Sequence, residues 1–493
     1  MSTPADYRTT TPAAKTGAVT PPRVGLLVMG RKRAGFDPQW GAHMLDRIRA
    51  VVADLPWAVE TPSNNIADET ALRTAVEACR SAGVTTLLLV QPTISDGRLA
   101  PMLARMWSGP FVLWATPEKP EGPMISANSL VGSHVMAATL RQLGHPLELV
   151  YGHPDDQETQ SALVRGIQAA ASAGALAGAK LGLIGSHAPG FIDFHADPQF
   201  LAEALGSHLY HMSVNDLVTL VRGYEEGDVS DALAHVEEAA QGLEAGEVDR
   251  SGLPGGSTVA AAPEGSAYRT QFTDPRTRRE ALTMQARYYQ AFRDLFSSER
   301  FDALAFRCWP DLPSIVGHWP YLALAMLVDE GFPIAMEGDV DGAICSRIAE
   351  SAGVGPVYLS DWLEHDESTI AIWHTGASPL SLTDHGRLGV QFNNRLPTVV
   401  DGTIRPGLEA TVFRIWRMEG RYHMTALEGR TEEPRRDLFA TNGLFSTQMV
   451  DVRTWFDRMV QRGMPHHLAM VEGRHRELLR RVARMSGMEW ENV

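Results

Sequence analysis

The chain has 493 residues, 44% hydrophobic and 21% charged, the balance of a globular protein that buries real cores, and at roughly 100–200 residues per domain it has room for about three domains. The formal net charge of −15 argues against a nucleic-acid-binding surface, which is normally basic. Three scattered cysteines (Cys79, Cys308, Cys345) exclude a disulfide framework, and no apolar run approaches the roughly 20 residues that cross a bilayer, so a cytoplasmic protein with no membrane partner is expected.

Residues 1–20, rich in Thr, Pro and Ala, read as a disordered tail without the apolar core of a signal peptide. VGLLVMG from Val24, TTLLLVQP from Thr85 and FVLWAT from Phe111 read as buried parallel strands, with helical spacing between Leu45 and Val52 and between Glu69 and Ala82. LELVYG near Leu147 closes this first unit, and the pattern restarts with a helix from Gln157 to Ala173 and a strand, KLGLIG, from Lys180. Helices are predicted from Tyr224 to Val248 and from Thr277 to Phe296, separated by a loop at SGLPGGST near Ser251, and strands ALAFRC (from Ala303) and FPIAME (from Phe332) end the second unit. The last third changes to short β runs (STIAIWH, GRLGVQF, PTVVDGTI, ATVFRIWRM, YHMTALEG), then a helix over roughly His466 to Met485. The expected fold is α/β: an α/β domain over 21–155, a second over 156–352, both Rossmann-like, and a β-rich, barrel-like domain over 353–493. Neither early unit carries a GxGxxG phosphate loop, which counts against a dehydrogenase.

Polar groups gather where strands should end. Glu337, Asp339 and Asp341 follow the apolar FPIAM, and ligands in open α/β sheets bind beyond the carboxyl ends of strands; an acidic turn capping the next helix is the competing reading. Asp361 follows YLS and precedes Trp362, where a helix cap competes with a ligand. His466 and His467 are adjacent, which on a helix would turn only one of them inward, and His374 ends the strand STIAIWH. Two carboxylates and a neutral imidazole, without thiolates, suit a catalytic divalent cation such as Mn²⁺.

MEGDVDGA, LSDW and PHHLAMVEG, in that order, with RCWPDLPS before the acidic motif, WHTGASP after LSDW, and NSLVG and LELVYG upstream, resemble the L-fucose isomerase family and its shorter relatives over nearly the whole chain beyond about residue 20. The resemblance implies two Rossmann-like domains and a β-rich one, a homo-oligomer with active sites near subunit interfaces, and aldose–ketose isomerisation through a cis-enediol(ate). It places the metal ligands at Glu337, Asp361 and His467, with Glu337 and Asp361 also moving protons. His374 resembles a ligand of the related L-arabinose isomerases and is a candidate ligand or sugar contact; Asp339 is expected to orient Glu337, and Trp309, Trp362 and Trp373 to wall the sugar. Arg31, Lys32 and Arg33 form a run of cations that would suit an anionic substituent, sulfonate or phosphate, and make an anionic or 6-substituted hexose the alternative to a neutral deoxy sugar. A sugar-binding sensor without catalysis is the reading from another class.

Overall fold

In a computed structural model, the structure describes residues 22–31, 36–95, 97–245, 275–391, 394, 396–436 and 438–492. The tail, Lys32, Arg33 and the SGLPGGST loop lie outside them.

The fully buried runs VGLLVM, TLLLVQ and FVLWA become β1 (Val24–Met29), β3 (Thr86–Gln91) and β4 (Phe111–Ala115). With β2 (Val59–Ile66) and β5 (Leu147–Tyr151) they form a parallel sheet of order β2-β1-β3-β4-β5. Helices cover both faces. That of Glu69–Ser81 begins where the Asp68 carboxylate accepts the Ala71 N–H and buries Leu72, Ala75, Val76 and Cys79, one stripe at helical spacing.

The second sheet is also parallel, β7-β6-β8-β9, built from β6 (Lys180–Ile184), β7 (His208–Met212), β8 (Ala303–Phe306) and the two-residue β9 (Ile334–Ala335). The helix Pro275–Ser298, close to the predicted Thr277–Phe296, packs Ala286, Tyr289, Phe292 and Phe296 into the core around Leu304 and Phe306. On the other side, the helix Val340–Ala352 is buried along most of its length.

The third sheet contains β10 (Tyr358–His365), β11 (Thr369–His374), β12 (Thr383–Val390), β13 (Pro397–Ile404), β14 (Glu409–Met418), β15 (Arg421–Glu432), β16 (Thr441–Ser446), β17 (His467–Glu472) and β18 (Glu489–Trp490). Its pairings β16-β11-β10-β17-β14-β15 return from β15 to β16, so six strands close into a barrel, with β13–β12 and β18 appended. Closure removes the free edges an open sheet would expose. Tyr358, Ile370, Ile372, Val412, Leu427, Phe445, Leu468 and Met470 share one core cluster. The chain is thus a mixed α/β protein with two parallel-sheet units and a mostly antiparallel, barrel-like third.

One expectation is corrected: no helix begins at His466. HLAMVE is β17, held between β10 and β14, and the final helix runs only over Arg476–Met485. A six-residue apolar run has no helical period of its own, and two waiting strand neighbours supply its hydrogen bonds.

The helix Gln157–Leu176 ties the units together. Leu163, Ile167 and Ala170 pack with Val112, Trp114 and Val150 of the first sheet, while Ala169 and Leu176 join Ile344, Ile348, Leu479 and Val482 on the other side. Beside it, the buried Glu148 pairs with Arg481 and Arg484. Among the described residues, the three cysteines are buried free thiols, and no helix is long and apolar enough to cross a membrane.

Candidate active site

The acidic segment starts at the carboxyl end of β9. Gly338 N–H donates to the Phe306 carbonyl (2.9 Å) and Ala188 N–H to the Glu337 carbonyl (2.7 Å), pinning the turn to the ends of β8 and β6. Asp339 caps the helix Val340–Ala352, its Oδ1 accepting Gly342 N–H at 2.8 Å. Glu337 has φ +61°, a left-handed conformation that costs a non-glycine residue on the order of 1–3 kcal/mol. Gly338 follows at φ +74°, and a Cβ there would lie 2.2 Å from the Ser186 carbonyl oxygen and 2.7 Å from His187 Cα. Backbone cannot yield as a side-chain tip can. Gly338→Ala is therefore expected to lower the melting temperature and to displace Glu337, with kcat/KM falling about 10²-fold, the loss that ångström-scale misplacement can cause; a thermal melt beside steady-state kinetics checks it.

Asp361 comes from β10, His467 from the start of β17 and His374 from the end of β11. Asp361 is in register with His467 on one side and with Trp373 on the other. Strand pairing thus sets residues 106 positions apart in sequence next to one another. Across the gap lies Glu337: His467 Nε2 is 3.3 Å from Glu337 Oε2 and 3.4 Å from Asp361 Oδ1, and His374 Nε2 is 3.9 Å from Glu337 Oε2. Trp309 Nε1–H donates to Glu337 Oε1 at 2.9 Å, which leaves Oε2 as the oxygen facing the imidazoles.

Electrostatics follow from this crowding. Burial pushes the carboxyls of Glu337 and Asp361 up, but the imidazoles of His374 and His467 outweigh it and hold both below the ordinary carboxylate range. Burial pushes His467 down, and the carboxylates of Asp339, Asp361 and Glu337 around it reverse that and raise it well above its usual value. Glu337 Oε2, His467 Nε2 and both nitrogens of His374 are buried without a hydrogen-bond partner. Single donor atoms of Asp361, His374 and His467 fall within 4.8 Å of one another, as do those of Glu337, His466 and His467. The two groups share His467, and buried oxygens and nitrogens gathered around it in this way are of the kind a divalent cation takes.

The other predicted contacts divide. Asp339 is wholly buried; its oxygens are taken by Arg414 (2.7 and 2.8 Å) and by His467 Nδ1 (2.9 Å), so its side-chain partner among the candidate donors is His467. Trp309 holds Glu337 and packs its ring edge-on to Phe191 at 5.8 Å. Trp362 stacks on Trp455 at 5.2 Å and its Nε1 bonds His365, on the face of β10 opposite Asp361, because neighbours on a strand point to opposite faces. Trp373, in register with Asp361, stays beside it, its Nε1–H donating to the Phe439 carbonyl. Arg31 is at the carboxyl end of β1, its guanidinium 5.4 Å over the Phe36 ring.

Other residues at the site gave weaker signals. His466 is not turned away: its Nδ1 lies 2.7 Å from Asp193 Oδ2, its Nε2 3.7 Å from Asp361 Oδ1, and its ring stacks on Phe194 at 4.6 Å. His466 lies in the bend before β17, so neither helical spacing nor strand alternation sets its direction. Asp193 and Phe194 belong to HAPGFIDFHADP, which follows the carboxyl end of β6, the place where a ligand loop is expected. Arg414 was legible as a lone cation inside the apolar ATVFRIW.

No family model matches the chain. It is similar to the sulfoquinovose isomerase of Priestia megaterium, 25% identical over 437 residues that cover 87% of this chain and 90% of the relative. Those of Alkalicoccus urumqiensis (26% over 403 residues, 80% and 82% covered) and of a Clostridium species (27% over 418 residues, 82% and 86%) are similar too. The chain is an enzyme of the aldose–ketose isomerase class.

Proposed function

We propose that the chain interconverts a sulfonated aldose, sulfoquinovose or a close analogue, and its ketose at a divalent cation held by Glu337, Asp361 and His467, with His374 as a fourth donor. The observation that carries this reading is the approach of Glu337 Oε2 and Asp361 Oδ1 to within 3.4 Å of His467 Nε2, with His374 Nε2 3.9 Å from Glu337 Oε2. The relatives' shared name moves the preferred substrate from a neutral deoxy sugar to the sulfonated hexose. Kinship with the L-fucose isomerases and assembly into a homo-oligomer belong to the same proposal.

The donors fit a cation of the Mn²⁺ type: hard carboxylate oxygens with imidazole nitrogen, and no thiolate. When bound, it supplies Lewis-acid stabilisation of negative charge on adjacent sugar oxygens. The protein's own groups do the rest. Glu337 and Asp361, both held ionised, flank His467, and between them take the proton from one sugar carbon and deliver it to its neighbour, while the hydroxyl proton on the first carbon passes to the former carbonyl oxygen. Trp309 fixes which Glu337 oxygen faces the reacting atoms. Asp361, with 26% of its side chain exposed against 5% for Glu337, is the carboxylate a sugar entering from solvent meets first. Phe194, Phe191 and the His466 ring form an aromatic wall that keeps water from the buried end.

The test is a panel of aldoses assayed with Mn²⁺ for ketose formation: sulfoquinovose, glucose 6-phosphate, glucose and L-fucose. The sulfonated sugar is expected to exceed glucose and L-fucose at least 10²-fold in kcat/KM. Equal turnover of L-fucose would overturn the substrate assignment, and absence of any ketose product would overturn the reaction.

A further inference from the structure

Arg414 is fully buried, on β14, and its hydrogen bonds go to Asp339, not to any of the four donors. Its two terminal nitrogens grip the two oxygens of Asp339, Nη1 to Oδ2 at 2.7 Å and Nη2 to Oδ1 at 2.8 Å. The same Oδ2 lies 2.9 Å from His467 Nδ1. We propose that Arg414 is a positioning residue for the cation site: its fork fixes the Asp339 carboxylate in the one orientation that accepts the Nδ1 proton of His467, and so leaves the Nε2 lone pair for a cation held between it, Glu337 and Asp361. The inference rests on the cation reading above and adds the residue that prepares one of its donors.

Three observations carry it. Asp339 already spends Oδ1 on the helix-capping Gly342 N–H, so the carboxylate plane is held by the turn and by the guanidinium together. A planar fork fixes a carboxylate's rotation as well as its charge, which a point charge cannot. Secondly, the Arg414 guanidinium lies 5.6 Å over the Phe194 ring, and Phe194 packs on His467 at 4.4 Å, so the arginine braces the imidazole through the aromatic ring as well as through Asp339. Thirdly, β14 makes a parallel contact three residues on: Arg417 Nε lies 3.3 Å from Asp341 Oδ2, with the Tyr422 hydroxyl on Oδ1 at 3.1 Å. That pair also sews the acidic segment to the barrel, and Arg417 Nη2 donates to the carbonyl of His195, beside Phe194, but Arg417 bonds no side chain that bonds a donor. Docking of the two units is therefore shared by both arginines, and control of His467 belongs to Arg414. A histidine ligand whose far nitrogen is held by a carboxylate loses 10–100-fold in metal affinity when that support goes.

The experiment measures Mn²⁺ affinity of the full chain without substrate, by the resonance of free Mn²⁺, in Arg414→Met, Arg414→Lys and Arg417→Met, with melting temperature as the folding control. In parallel, the hydrogen-bonded Nδ1 proton of His467 is followed by nuclear magnetic resonance in the cation-free protein. Arg414→Met is expected to weaken Mn²⁺ binding about 10–100-fold and to broaden the Nδ1 proton into exchange. Arg414→Lys, which keeps the charge and loses the fork, is expected to give about 3–10-fold. Arg417→Met is expected to lower the melting temperature with Mn²⁺ affinity within about 2-fold of wild type. Should Arg414→Met fail to fold, Arg414→Lys decides. Mn²⁺ affinity within 2-fold of wild type with an unchanged Nδ1 proton in the folded Arg414 variant, or an equal loss in Arg417→Met, overturns the assignment. If the wild type itself binds no divalent cation, the proposed reaction site fails, and the Nδ1 proton alone then judges Arg414.

Discussion

Glu337→Gln is expected to cut the rate of ketose formation by about 10³-fold or more while leaving the protein folded. The substitution keeps the shape of a side chain that sits in a left-handed turn, and Gln can still accept the Trp309 Nε1–H through its carbonyl oxygen. What it loses is the charge on the atom facing His467 and His374. Proton transfer by a positioned carboxylate is worth about 10²–10⁴-fold, and the amide is also a poorer partner for a cation, so the two losses compound. Circular dichroism and a melt establish the fold; initial rates with sulfoquinovose and Mn²⁺ give the effect. A variant within 10-fold of wild type would remove Glu337 from the chemistry.

Removal of divalent cations is expected to abolish turnover and to lower the melting temperature, with Mn²⁺ restoring both. The physical reason lies in the charges. Glu337 and Asp361 each approach His467 Nε2 within 3.4 Å, and Asp339 reaches Nδ1, so three carboxylates crowd one imidazole. Arg414 compensates only Asp339, which leaves Glu337 and Asp361 wanting positive charge between them. A ligand that binds the folded form alone stabilises it by about 2.7 kcal/mol at 100 times its dissociation constant. The thermal shift with Mn²⁺ is expected in wild type and absent in His467→Ala, which separates binding at this cluster from binding elsewhere. Full activity after exhaustive chelation would sink the cation reading.

Much of the architecture was legible in advance. Continuous apolar runs such as LLLVQ and FVLWA are buried on both faces and need no partner to be recognised. The edge strands β2 (VETPSNNI) and β7 (HLYHM) were not, because a polar strand exists only where a neighbour offers its ladder. β10 was hidden for a related reason: Asp361 breaks the apolar run at the point where β11 and β17 hold it in place.

The candidate donors, too, could be named from residue type and order along the chain, and the acidic turn after FPIAM marked a strand end where ligands gather. Which of them meet, and which nitrogen or oxygen each one presents, is a property of the folded chain alone. Strand register places Asp361 against His467, the same alternation sends Trp362 to the far face, and the Arg414 fork on Asp339 is contributed by a strand 75 residues away. Local sequence carries propensity and periodicity over a few residues. Side-chain direction and partnership across the site depend on long-range pairing and burial, which come into being only when the barrel closes against the second α/β unit.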